Sequence, residues 1–107
     1  MIAPGLVMDC SSLTQRTALL TGIEDIYKPE SIIGNDTSSA INNGIYFSKV
    51  GAIREIVNSI TNKLDQINNS GTDIHLTGGW ASLIEDVFGY SFDKDLTAKG
   101  LLIHLTK

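Results

Sequence analysis

Tyr46, Val50, Ile53, Val57, Ile60, Leu64 and Ile67 follow one another at alternating four- and three-residue spacing. That interval puts all of them on one side of an α-helix, so the middle of the chain is predicted to be one long amphipathic helix. Lys49, Arg54, Glu55, Asn58, Lys63 and Asp65 make up its polar side. Asn35, Asp36 and Thr37 are residue types that cap a helix amino end. Residues 68–71, Asn-Asn-Ser-Gly, stop it. Gly44 and Gly51 lie inside this stretch, where they either admit a close neighbour or split it into two helices. The apolar stripe itself fits two uses, a dimer seam or a face turned into the chain's own core.

Elsewhere the pattern is shorter-ranged. A strand end at residues 1–3 is expected before the Pro4-Gly5 turn. Leu6, Cys10, Leu13, Thr17 and Leu20 recur at helical spacing, predicting a helix over 6–20 that stops at Thr21-Gly22. Residues 23–31 read as loop around Lys28-Pro29, and Ile32-Ile33 break at Gly34. Residues 73–77, Asp-Ile-His-Leu-Thr, alternate as a strand does. The glycine pair Gly78-Gly79 turns the chain, 80–87 has helical character, 88–92 is extended or loop, and a last helix runs over 96–105. One clear strand with two weaker ones is too little for an independent sheet. The expected class is therefore α/β, with helices on an incomplete sheet.

Composition narrows the function. With 107 residues the chain is at most one domain. Apolar residues make up 42% and charged ones 19%, a sparse charge that suggests covered surface. The net charge is -4 and no Lys/Arg cluster exists, which argues against nucleic acid as a partner. No apolar run approaches the ~20 residues of a membrane helix. One cysteine, Cys10, excludes an internal disulfide, and with two distant histidines it makes no metal site. The absence of a charged leader fits a cytoplasmic protein.

Few residues suggest chemistry. Gly78-Gly79, between strand and helix, fit close approach of a nucleotide, or an ordinary strand-to-helix turn. No GxxxxGK[ST] or GxGxxG pattern accompanies them. Thr37 fits a hydroxyl donor to a polar ligand, or a helix cap. His75 alternates with apolar neighbours; it fits a base, or a solvated or core-edge side chain. Glu24, Asp25 and Glu30 read as a surface cluster, and Asp93 and Asp95 as solvated or capping groups. Cys10 has no base near it in sequence. Trp80 fits a pocket wall, an interface or the core. No catalytic residue and no metal ligand is identified.

Taken in order, several segments resemble the type III pantothenate kinase family. Ile2-Ala3-Pro4-Gly5-Leu6 is similar to its turn after a glycine pair, and Thr17-Ala18-Leu19-Leu20 to its TAxL segment. Ile33-Gly34-Asn35-Asp36-Thr37, with Ala40 and Gly44, resembles its G-[NKR]-x-T…A…G segment. Thr77-Gly78-Gly79 with Ala81 is similar to its TGGxA motif. Asp95-Leu96-Thr97 with Gly100-Leu101 resembles its closing DLTLxGL.

The resemblance implies the carboxy-terminal portion, residues 1–107, of the second ribonuclease-H-like domain of an acetate/sugar kinase–Hsp70–actin-type enzyme. It implies phosphorylation of pantothenate, the opening step of coenzyme A synthesis, using Mg-ATP and a monovalent cation, potassium or ammonium, in a homodimer. Carried over, Thr37 is expected to contact pantothenate, and Gly78 and Gly79 to approach the nucleotide. The family's DxGNT turn, its catalytic Asp and its DxGT strand pair have no counterpart among these residues. They are expected upstream of Met1, in a missing amino-terminal half on the same or a separate chain. A phosphoryl-transfer site needs phosphate clamps, a metal site and a base, so this chain alone is expected to be inactive. A non-catalytic dimerisation module and one half of a split enzyme are the rival readings.

Overall fold

The computed structural model describes residues 1–14, 26–68 and 71–106. The order is α1 (Leu6–Thr14), α2 (Thr37–Asn68), β1 (His75–Leu76), a 3-10 turn (Ala81–Leu83), α3 (Glu85–Phe88), β2 (Ser91–Phe92) and α4 (Leu96–Leu105). β1 and β2 pair in parallel, with His75 opposite Ser91 and Leu76 opposite Phe92. The Asp93 amide donates to the Leu76 carbonyl and extends the pairing. The expected α/β character is present as this small parallel pair among helices.

α2 is one unbroken helix, so neither Gly44 nor Gly51 divides it. At 1.5 Å per residue its 32 residues span about 48 Å, close to the molecule's longest dimension of 50 Å. Its start is set locally. The Asp36 carboxylate accepts the Ser39 amide at 2.7 Å, and Ser39 Oγ accepts the Asp36 amide at 3.1 Å and the Asn35 amide at 3.0 Å. This is a reciprocal capping box built from Asp and Ser. The Ser39 bonds hold the Asp36 carboxyl below the usual carboxylate range, the backbone one first. Gly34 lies so close to the first turn that a Cβ there would stand 2.5 Å from the Ala40 nitrogen. Only glycine fits.

Two apolar clusters lie on the first half of α2. Leu6, Cys10, Ile26 and Ile45 form one, with Ile41 and Leu83 against it. Tyr46, Val50 and Ile84 form the other, flanked by Phe47, Ile53, Leu76, Leu83, Val87 and Phe88. Leu83 touches both and joins them. Lys49 reaches across to α1, bonding Asp9 at 2.8 Å and the Pro4 carbonyl at 2.6 Å. The upper stripe is therefore core. Its lower part is not: Ile60, Leu64 and Ile67 are 38%, 37% and 67% exposed. α4 buries no residue. The radius of gyration is 16.7 Å, against about 13 Å for a compact domain of this length.

Several expectations are corrected. Residues 1–3 form no strand, and Met1 and Ile2 are exposed. The strand expected over 73–77 is only His75–Leu76. The single helix expected over 80–87 is a 3-10 turn followed by α3, because Ile84 breaks the α geometry between them. Gly89, at φ 65°, closes α3 in the left-handed conformation that glycine adopts freely. The helix expected over 6–20 is present through Thr14. Thr17, Leu20, the Thr21-Gly22 stop, Glu24 and Asp25 lie outside the described residues.

Two predictions follow from this asymmetry and from the cap. Ile45→Val should cost about 0.5–1.5 kcal/mol in chemical denaturation, whereas Ile67→Val should stay within about 0.5 kcal/mol. The lowered Asp36 carboxyl stabilises the fold above the ordinary carboxylate range, and that contribution is lost as pH falls through its folded value. Asp36→Ala should therefore lower Tm at pH 7, and the difference from wild type should shrink as acid scans pass below the ordinary carboxylate range.

Candidate functional site

Thr37 is the first residue of α2 and is exposed. Asp36 and Ser39 do the capping, so the capping role is not Thr37's. Its hydroxyl makes no hydrogen bond within the described residues, and it stands at the positive end of a long helix. Among the described residues that hydroxyl is uncommitted at the amino end of α2.

The chain approaching this end is pinned at two places. Asn42 is 1% exposed and Asn43 6%. Asn42 Oδ1 accepts the Tyr27 amide at 2.9 Å and its Nδ2 donates to the Tyr27 carbonyl at 3.0 Å. Asn43 Nδ2 donates to the carbonyls of Ser31 at 2.9 Å and Ile32 at 3.2 Å. Between these two clamps Lys28, Pro29 and Glu30 stand off the helix. Lys28, Glu30, Ser31, Gly34, Asn35 and Asn43 are among the residues lining an open pocket of about 340 Å³. Sequence reasoning missed both asparagines. Their signal was two adjacent amides one helical turn before Tyr46, on the stripe's own side of α2.

Gly78 and Gly79 follow β1. Gly78 has φ 103°, open to glycine but strained for other residues, and a Cβ on either glycine would meet nothing within 4 Å. The space in front of the pair is open, which fits close approach of a ligand. The α-helical start expected behind it is missing, since a three-residue 3-10 turn follows. The Ala81 amide is already spent on the Gly78 carbonyl. Trp80 is 39% exposed beside it.

Thr37 and the glycine pair are not brought together. Leu76, two residues before Gly78, packs at the level of Tyr46 and Val50. That level lies about 14–20 Å along α2 from Thr37. His75 is exposed as expected. Asp93 accepts the Asp95 amide and pairs with Lys99 at 2.7 Å, which lowers the Asp93 carboxyl and raises the Lys99 amine. These are cap and surface interactions. Tyr46 is buried with no hydrogen-bond partner for its hydroxyl among the described residues; burial, then the Asp86 charge, pushes it up. Among the described residues no three His, Cys, Asp or Glu side chains converge as a metal would need, and no helix is long and apolar enough to cross a membrane.

Residues 1–59 match the family model for type III pantothenate kinase. Curated relatives are similar over more of the chain. The type III pantothenate kinase of Dehalococcoides mccartyi (strain 195) is 38% identical over 105 residues, covering 95% of this chain and 38% of that protein. That of Finegoldia magna is 36% identical over 104 residues, 95% of this chain and 39% of that protein. That of Legionella pneumophila (strain Corby) is 36% identical over 84 residues, 78% and 32%. The chain thus spans under two-fifths of the length of these relatives. Over the part it spans, the chain belongs to the type III pantothenate kinase family.

Proposed function

We propose that the chain is the acceptor-binding, carboxy-terminal portion of the second ribonuclease-H-like domain of an ATP-dependent pantothenate kinase acting in coenzyme A synthesis. The observation that carries this is the Thr37 hydroxyl, which makes no hydrogen bond among the described residues because the Asp36–Ser39 box does the capping, within a segment matched by the family model. A neutral donor at the positive end of a helix suits the hydroxyls and amide of pantothenate. Gly78 and Gly79 take the nucleotide side, supported by the open space in front of them. Mg-ATP and the monovalent cation, potassium or ammonium, belong to the complete enzyme. The described residues do not fit a magnesium site, so no step is assigned to the metal here. The clamps, metal ligands and base come from the remaining part, on the same or another chain, in a cytoplasmic homodimer. This chain alone binds and orients without transferring phosphate.

A second reading has one observation in its favour. Ile60, Leu64 and Ile67 remain exposed, as the seam of a non-catalytic dimerisation module would be. Tyr46 and Val50 do not belong to that seam, being core. Ile60→Asp with Ile67→Asp should abolish dimers without unfolding the chain if this module exists.

The purified chain, given pantothenate and labelled ATP, should form no phosphopantothenate. Grafted in place of the matching residues of the Dehalococcoides mccartyi protein, it should support turnover. There Thr37→Ala should raise the pantothenate KM about fivefold, as one lost hydrogen bond of ~1 kcal/mol requires. Turnover by the chain alone would refute the proposal. An intact, active graft indifferent to Thr37→Ala would remove Thr37 from the acceptor site.

A further inference from the structure

Residues 26–36 have no regular secondary structure, yet their path is held at Tyr27 and again from Ser31 to Asp36. Tyr27 is held through both its backbone groups by Asn42, and Ser31 and Ile32 through their carbonyls by Asn43. The Ile33 amide is taken by Ser31 Oγ at 3.3 Å. Gly34 abuts the first turn of α2, and the Asn35 and Asp36 amides are taken by Ser39. Apart from the Tyr46 hydroxyl, the two asparagines are the buried polar side chains among the described residues.

Burying an amide is costly unless its bonds are well made. Apolar residues at both positions would extend the clusters on either side, Ile41 and Ile45 being adjacent. The amides bond chiefly to main-chain atoms, with a longer contact between themselves at 3.4 Å. They therefore specify where the segment runs, whatever its side chains are. The segment ends in the turn that carries Thr37, and the space it encloses against α2 is the pocket lined by Lys28, Glu30, Ser31 and Asn35. Sites hold their ligands best where a rigid element fixes the supporting shell.

We propose that Asn42 and Asn43 are positioning residues of the acceptor site: by clamping residues 27–32 onto α2 they fix the pocket wall and the Gly34–Thr37 turn, and so set the affinity for pantothenate. This rests on the pantothenate kinase reading above. Asn43 also lines the pocket, but each asparagine acts through the backbone it holds.

The test is a pantothenate titration of the full 107-residue chain, followed through the amide resonances of residues 35–39. Wild type should show saturable shifts there. Asn42→Ala and Asn43→Ala should each weaken binding at least fivefold. Val50→Ala, which removes core packing from the same helix, should leave affinity within twofold at comparable loss of Tm. Asn43→Gln, which keeps the amide donor, should recover part of the affinity, an effect that a purely structural role would not produce. If an alanine variant does not fold, Asn43→Ser replaces it, with the same fivefold expectation. Equal affinity in wild type and folded asparagine variants would overturn the positioning role while leaving the pantothenate reading intact. Equal losses in Val50→Ala and the asparagine variants would reduce them to structural residues. No shift in wild type would overturn both.

Discussion

The first half of α2 is the constraint on which the rest depends. Every cluster of buried apolar residues described here includes residues of that segment. α1 docks through Ile45 and the Lys49–Asp9 pair, the 26–36 segment through Asn42 and Asn43, and β1 and α3 through Tyr46 and Val50. An isolated two-residue parallel pair has little stability of its own. Leu76 gives it a foothold because Tyr46, Val50 and Ile84 lie beneath it. Removing the helix would leave none of the other elements with a partner large enough to hold it.

This arrangement also separates the two candidate binding features. Thr37 marks the start of the helix, where the capping box leaves the first turn open. The glycine pair is tied, through Leu76, to a level well down its length. One helix thus spaces the group proposed for the acceptor from the turn proposed for the nucleotide, with the 26–36 segment held against its amino end. The curated relatives are more than twice as long as the region they share with this chain.

Much of this was legible in the sequence. The period of the α2 stripe gave the helix, because packing and propensity agree there. α4 was placed residue for residue by its leucines, and His75 by alternation. The glycine pair and the G-N-D-T segment stood out from residue types alone. The misses have physical causes. A stripe says which side of a helix is apolar, not how much of it finds a partner, so the exposure of Ile60, Leu64 and Ile67 could not be read from spacing. Strands of two residues carry no period. Thr37 beside Asp36 offered two capping side chains, and only the geometry chose Asp36. Asn42 and Asn43 lie before the stripe begins, and their hydrogen bonds go to backbone that lies 11 to 15 residues away in sequence.

The account's central claim is that folding stability sits in the first half of α2 and fades along it. Residue-resolved amide hydrogen exchange on the 107-residue chain measures this directly. The account predicts the slowest exchange from Ile45 to Ile53, with protection falling steadily beyond Val57 and little left by Ile67. Uniform protection to the end of the helix would contradict it, since the lower half would then be held by contacts that this arrangement of core and surface does not contain.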